Sequence, residues 1–206
     1  MSKLKPRIIL ASTSPRRIEL LKQAGIIAES KAPVTDEEPH PGELPTHLVR
    51  RLAFEKAKSV AASITGIAAV VIAADTIVVA PDRKSILNKP RDKKEAFRML
   101  KKLVGKTHLV LTGYCIFPVH KSGHRSRPFI RVVRSNVMIK KLSDTKIKNY
   151  IATGEPMDKA GAYGAQGLGM TFIERINGSY TNVVGLPMSQ LLTDLEERFG
   201  VISSIL

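Results

Sequence analysis

The stretch Leu10-Ala11-Ser12-Thr13-Ser14-Pro15-Arg16-Arg17-Ile18-Glu19-Leu20-Leu21 carries an apolar run into hydroxyls, a proline and two adjacent arginines. It reads as a strand, Arg7 to Ala11, that turns directly into a helix. Ser14 suits the N-cap and Pro15 the first helical position, while Ile18, Leu21 and Ala24 recur at helical spacing. The first turn of that helix therefore carries Arg16 and Arg17. Free backbone N–H groups at a helix start favour anions, and two guanidiniums there suit phosphate. Surface arginines also serve solubility alone, although a helix dipole favours acids over bases at this end.

Outward from this stretch, composition sets bounds. A chain of 206 residues with 43% apolar content is one large domain or two closely packed lobes, able to bury about 70% of its unfolded surface. The longest apolar run, Ile67 to Ala80, is broken by Asp75 and Thr76 and is too short and polar to span a bilayer, so no membrane partner is expected. Met1 to Arg7 is charged without a following cleavable apolar block, so no secretory signal is expected. The single cysteine, Cys115, cannot pair internally, which fits a reducing cytoplasm. Its apolar neighbours suggest a buried small side chain rather than a nucleophile.

A formal net charge of +15 points to anionic partners. Nucleic acid is one candidate, but the basic residues are dispersed, only four Tyr and six Phe are available for stacking, and no nucleic-acid motif is present. No specific nucleic-acid binding is therefore expected.

Along the chain, Gly25 ends the first helix and Ala28 to Val34 is predicted to be extended. Thr35 to Gly42 is an acidic, proline-rich surface loop containing Asp36, Glu37 and Glu38. These acids are either cation ligands or ordinary surface charges. A long helix is predicted from Thr46 to Ile64, and its 3.6-residue period puts Lys56 inside the apolar arc between Leu52 and Val49. An inward lysine either snorkels or meets a phosphate or carboxylate. Ala68 to Ala80 reads as a buried central strand. Asp75 within it needs a cation, hydrogen bonds or a role as base; a structural bond to a neighbouring loop meets the same cost.

Lys89 falls on a loop closed by Pro90, after which Asp92 caps a helix to Leu103. Thr107 to Val119 and Pro128 to Ile139 are predicted as long strands, with His120 and His124 in their turn, and Ser143 caps a helix through Ala152. The segment Met157 to Gly169 holds four glycines, which argues against regular structure but permits close backbone approach to a ligand. Gln166 is its one amide, able to pair with the O4 acceptor and N3–H donor of uracil or thymine. Thr171 to Ile176 and Ser179 to Val184 are predicted to form a hairpin about Asn177-Gly178, and a last helix ends near Phe199.

Taken together, two arginines, two lysines, acidic residues in a loop and a strand, and one amide form the inventory for hydrolysing a nucleoside triphosphate. Cations neutralise the phosphate chain, carboxylates hold a hard divalent metal, and a base directs water at phosphorus.

The opening stretch resembles the signature of the Maf family of nucleotide pyrophosphatases. Arg51-Leu52-Ala53 with Lys56-Ala57, Ala74-Asp75-Thr76, Lys89-Pro90, Glu155 to Gly167 and Asn182 to Pro187 follow in family order, so the resemblance spans about Ile8 to Phe199. It implies an α/β fold over residues 1–206, a mixed central sheet flanked by helices in one elongated two-lobed domain with a cleft, similar to inosine triphosphate pyrophosphatases. It implies that Asp75 is the catalytic proton acceptor and that Glu37 and Asp75 hold a divalent cation, Mg²⁺ or Mn²⁺. Ser12, Ser14, Arg16, Arg17, Lys56 and Lys89 are implied to bind substrate, and Arg16, Thr76 and Gln166 to govern its choice. The implied reaction splits a nucleoside triphosphate between the α and β phosphates in a cytoplasmic homodimer. Gly161-Ala162-Tyr163-Gly164-Ala165-Gln166-Gly167 is similar to the dTTP and UTP branch, whereas the 7-methyl-GTP branch tends to carry glutamate near Gln166. Asn88 stands where glycine is frequent, and either Glu37 or Glu38 can be the functional acid. A nucleotide-binding regulator of cell division without turnover is the alternative of another class.

Overall fold

The computed structural model describes residues 6–124 and 126–201. Its hydrogen-bonded strand order is β2-β1-β3-β5-β6-β7, where β1 is Arg7–Leu10, β2 Glu29–Ser30, β3 Ala69–Val79, β5 Thr107–Val119, β6 Phe129–Ile139 and β7 Ile173–Asn177. A short β4, Ile86–Leu87, pairs with β3. Parallel pairs, β1 with β2 and β3, coexist with antiparallel ones, β3 with β4 and β6 with β7, so the expected mixed α/β sheet is present.

The chain divides into two compact units: Met1–Asp75, Gly113–Val132 and Gly185–Leu206 form one, and Thr76–Thr112 and Val133–Val184 the other. The first holds helices α1 (Pro15–Gln23), α2 (Pro45–Ala62) and α6 (Met188–Phe199). Its core sets Ile9 and Val71 of the parallel strands against Ala53, Ala57 and Val60 of α2, with Cys115 and Phe117 of β5. Small side chains on α2 let it lie close to the sheet. At Gly113 an added Cβ would come within 2.3 Å of the Val49 carbonyl oxygen, so helix backbone rests directly on strand backbone there. The far end of this unit is pinned by the fully buried Asp194 of α6, which accepts hydrogen bonds from Tyr114, Arg131 and Arg198.

The second unit packs α3 (Lys93–Leu103) and α4 (Asp144–Ala152) around Leu100, Leu103, Val137, Ile139 and Ile147. Both expected caps are present: Asp92 accepts from the Glu95 amide at 2.7 Å and Ser143 from the Lys146 amide at 3.3 Å. At α1, by contrast, Ser14 stands at the N-cap position without a capping bond from its side chain.

Three expectations are corrected. The extended segment after α1 is shorter than Ala28 to Val34, because pairing stops after Ile9↔Glu29 and Leu10↔Ser30 and Pro33 lacks a donor to continue it. The glycine-rich segment is not irregular throughout but contains 3₁₀ turns at Glu155–Asp158, Ala160–Ala162 and Gly167–Phe172. The hairpin about Asn177-Gly178 does not form. Its second arm is a short helix, α5 (Tyr180–Val184), because the Ser179 hydroxyl accepts from the Asn182 amide at 3.2 Å. Buried Asn182 also donates to Ser135 Oγ at 2.9 Å and to the Val110 carbonyl at 3.3 Å, bonds that hold the helical course.

Candidate active site

In the first unit, the β1-to-α1 turn is organised by Ser12, which is 6% exposed. Its Oγ accepts from the Ser14 amide at 3.2 Å and from Arg17 Nη1 at 3.4 Å, while its carbonyl accepts from Ser30 Oγ at 2.6 Å. Arg17 Nε donates to the Gly185 carbonyl at 2.9 Å, so one guanidinium ties the helix start to the segment before α6. Burial pulls Arg17 below its ordinary basicity, the field of Asp75 opposes that, neighbouring Arg16 adds to the lowering and Glu37 opposes it. Arginine stays protonated under such a shift, so Arg17 remains a cation at the turn.

Helix α2 presents Lys56 two turns after Val49, on the face pressed to the sheet. The lysine is 5% exposed and does not snorkel. Its Nζ lies 2.7 Å from Asp75 Oδ1 on β3 and 2.8 Å from Glu37 Oε1. Asp75 is itself 7% exposed, whereas the Glu37 side chain, from the acidic loop, is 60% exposed. Two carboxylates thus converge on one ammonium, which compensates the cost of holding Asp75 in an apolar strand.

The neighbouring acids do other work. The Glu38 carbonyl accepts from Arg51 Nη2 at 3.0 Å, and its amide donates to Asp36 Oδ1 at the same distance. Arg51 is forked onto Glu43 by two bonds of 2.8 Å and reaches Glu55 at 3.1 Å. Hydrogen bonding to Arg51 holds the Glu43 carboxyl down at about 2, against the opposing effect of burial. The acidic loop is therefore fastened at its base by Arg51, with Glu37 directed to Lys56. From sequence, Arg51 enters only as part of the Arg51-Leu52-Ala53 motif, without a partner, and Glu43 not at all, because a fork between a loop acid and a helix arginine has no periodic signature.

Among the described residues, no group of three or more His, Cys, Asp or Glu side chains is placed to hold a metal. The pair Glu37 and Asp75 is nonetheless a donor set suited to Mg²⁺, which usually takes one or two carboxylates and completes its shell with water and phosphate oxygens.

The remaining sequence candidates belong to the second unit. Thr76 Oγ1 bonds Thr112 Oγ1 at 2.9 Å, and Thr112 in turn donates to the Asn182 carbonyl at 2.9 Å. Lys89 is exposed on the loop between β4 and α3, and the Gly161 amide donates to the Asn88 carbonyl beside it at 3.2 Å. Gln166 is half-buried, extended in backbone, and immediately precedes the last 3₁₀ turn. Beneath that loop, His108 Nε2 bonds Tyr163 Oη at 2.8 Å, and burial pushes the imidazole down to about 4, so it is neutral at physiological pH. In the first unit, the two turn histidines, His120 and His124, lie exposed with their rings tilted against each other at 5.5 Å.

A family profile described as Maf-like protein matches residues 7–198. A Geobacter sulfurreducens protein named dTTP/UTP pyrophosphatase is 46% identical over 198 residues, covering 96% of this chain and 99% of its own. One of the same name from Geobacter metallireducens is 49% identical over 189 residues, covering 92% and 94%. Among solved structures, a nucleoside-triphosphatase / dITP/XTP pyrophosphatase from Mycobacterium abscessus covers 94% of this chain and 95% of its own at 13% identity. The TM-score of that match is 0.36.

Proposed function

The chain belongs to the Maf family, and on that premise we propose that it is a nucleoside triphosphate pyrophosphatase acting on dTTP and UTP. The observation that carries this reading is the cluster in which Lys56 joins Asp75 and Glu37, with Arg17 in their field. Cations for a phosphate chain and carboxylates for a base and a metal are the parts phosphoryl transfer needs.

In the proposed mechanism, Arg16 and Arg17 bind phosphate oxygens at the start of α1, and Lys89 supplies a further positive charge. Lys56 engages Asp75 Oδ1, which leaves Oδ2 to take the proton of the attacking water. Water oxygen bonds to the α phosphorus as the bond to the bridging oxygen breaks, giving a nucleoside monophosphate and pyrophosphate. Glu37 and Asp75 would hold a divalent cation, Mg²⁺ or Mn²⁺, which when bound neutralises developing charge on the phosphates. Gln166 reads the O4 and N3 edge of the pyrimidine, with Thr76 contributing to substrate choice; modified pyrimidine nucleotides that keep this edge are substrates of the same class.

We take the active form to be a cytoplasmic homodimer, which light scattering on purified protein tests. Among the described residues, no helix is long and apolar enough to cross a membrane.

The deciding assay incubates the protein with Mg²⁺ and a triphosphate panel that includes dTTP, UTP, CTP, GTP and 7-methyl-GTP, and measures pyrophosphate and monophosphate. Preferential release from dTTP and UTP is expected. Preference for 7-methyl-GTP would move the chain to another specificity branch, and no pyrophosphate from any member would leave only a binding role.

A further inference from the structure

The loop that carries Gln166 is fastened to a single carboxylate. Glu155 Oε2 accepts from the Leu168 amide at 2.8 Å, and Oε1 accepts from the Gly169 amide at 2.9 Å and from the Tyr150 hydroxyl at 3.0 Å. Tyr150 Oη in turn accepts from the Gly164 amide at 3.2 Å. Gln166 lies between Gly164 and Leu168, so the backbone on both sides of it ends on Glu155, directly or through one hydroxyl. The fit is close enough to exclude side chains. At Gly167, with φ +67°, a Cβ would come within 2.8 Å of Glu155 Oε2, and at Gly169 within 2.6 Å of Tyr150 Oη.

We propose that Glu155 is a positioning residue for base selection: by clamping residues 164–169 it fixes the direction in which the Gln166 amide is presented. This deepens the pyrimidine reading above and rests on it. An amide that can turn over offers donor and acceptor in either order, and so tells uracil from cytosine only if its neighbours fix it. A loop held at one side of Gln166 would let its Cα–Cβ direction swing; a loop held at both sides fixes that direction, so the base meets the amide from a single approach. Carboxylate is the group required, since it accepts at both oxygens. Glutamine at 155 would turn its NH₂ toward at least one of the donors now satisfied.

The test compares wild type with Glu155→Gln, Tyr150→Phe, Gln166→Ala and the Glu155→Gln/Gln166→Ala double variant, measuring kcat and KM for UTP and CTP. Glu155→Gln is expected to raise KM for UTP with little change in kcat and to lower the UTP-over-CTP ratio of kcat/KM by about tenfold, the scale of one lost charge-assisted hydrogen bond. Tyr150→Phe, which cuts only the Gly164 arm, is expected to act in the same direction and less. In the Gln166→Ala background the Glu155 substitution is expected to change the ratio no further, because its effect passes through Gln166. Equal loss for UTP and CTP, or an undiminished effect without Gln166, overturns the proposal. Calorimetric binding of UTP and CTP without divalent cation reads the same ratio independently of turnover. Wild type that selects UTP in binding yet releases no pyrophosphate counts against the hydrolase reading and leaves the clamp to be judged on binding.

Discussion

Lys56 Nζ lies 2.7 Å from Asp75 Oδ1, and neither residue is more than 7% exposed. The pair costs desolvation at both ends, and Glu37 at 2.8 Å adds a second negative partner from the solvent side. Removing the cation alone would strand a buried carboxylate. Lys56→Met is therefore predicted to destabilise the fold by about 3–5 kcal/mol, read from urea unfolding, and Lys56→Met/Asp75→Asn to recover part of that loss without recovering activity. An unchanged unfolding midpoint in the single variant would mean that the pair contributes nothing to stability.

Asp75→Asn keeps shape and hydrogen bonding but cannot take a proton at neutral pH. Turnover of UTP is predicted to fall by at least about 100-fold, the ordinary worth of a general base, while nucleotide affinity measured by calorimetry stays within a few-fold. A variant with undiminished kcat would falsify the assignment of Asp75 as base.

The Glu43 carboxyl, held down at about 2 from an ordinary 4.5 by its bond to Arg51, makes one pH dependence explicit. A depressed pKa contributes stability that is fully present above the unfolded value and is lost as pH falls through the folded one. The difference in thermal midpoint between wild type and Glu43→Gln is predicted to be constant above about pH 5.5 and to shrink steadily below it toward about pH 2. Curves that stay parallel through this range would show that the fork with Arg51 is not formed in solution.

For substrate choice, Gln166→Glu replaces a donor–acceptor amide with an acceptor-only carboxylate, which cannot satisfy O4 of uracil or thymine. Hydrolysis of UTP and dTTP is predicted to fall by about tenfold or more, with GTP hydrolysis unaffected. A substrate profile identical to wild type would remove Gln166 from base recognition.

Much of the backbone was legible in the chain because burial imposes period on sequence. The apolar run at 68–80 reads as a central strand, and the recurrence of Leu48, Leu52, Ala53 and Val60 sets the face of α2 on which Lys56 falls. Caps at Asp92 and Ser143 are local chemistry and were readable for the same reason. The hairpin misreading has a non-local cause: Asn177-Gly178 is a strong local turn signal, yet Asn182 buried against Ser135 and Val110 outweighs it. Those partners lie 47 and 72 residues away in the chain, beyond the reach of any local pattern.

Composition, order and spacing by themselves determined that this is an α/β protein built for an anionic ligand, that two arginines open its first helix, and that a lysine and an aspartate sit where apolar residues belong. Only the tertiary structure decided what those exceptions do for one another: that Lys56 answers Asp75, that Glu37 and not Glu38 closes on the same ammonium, and that one glutamate secures the loop bearing Gln166. Hydrophobic period is a property of neighbours along the chain, whereas charge pairing and hydrogen-bond satisfaction are settled between segments that meet only after folding.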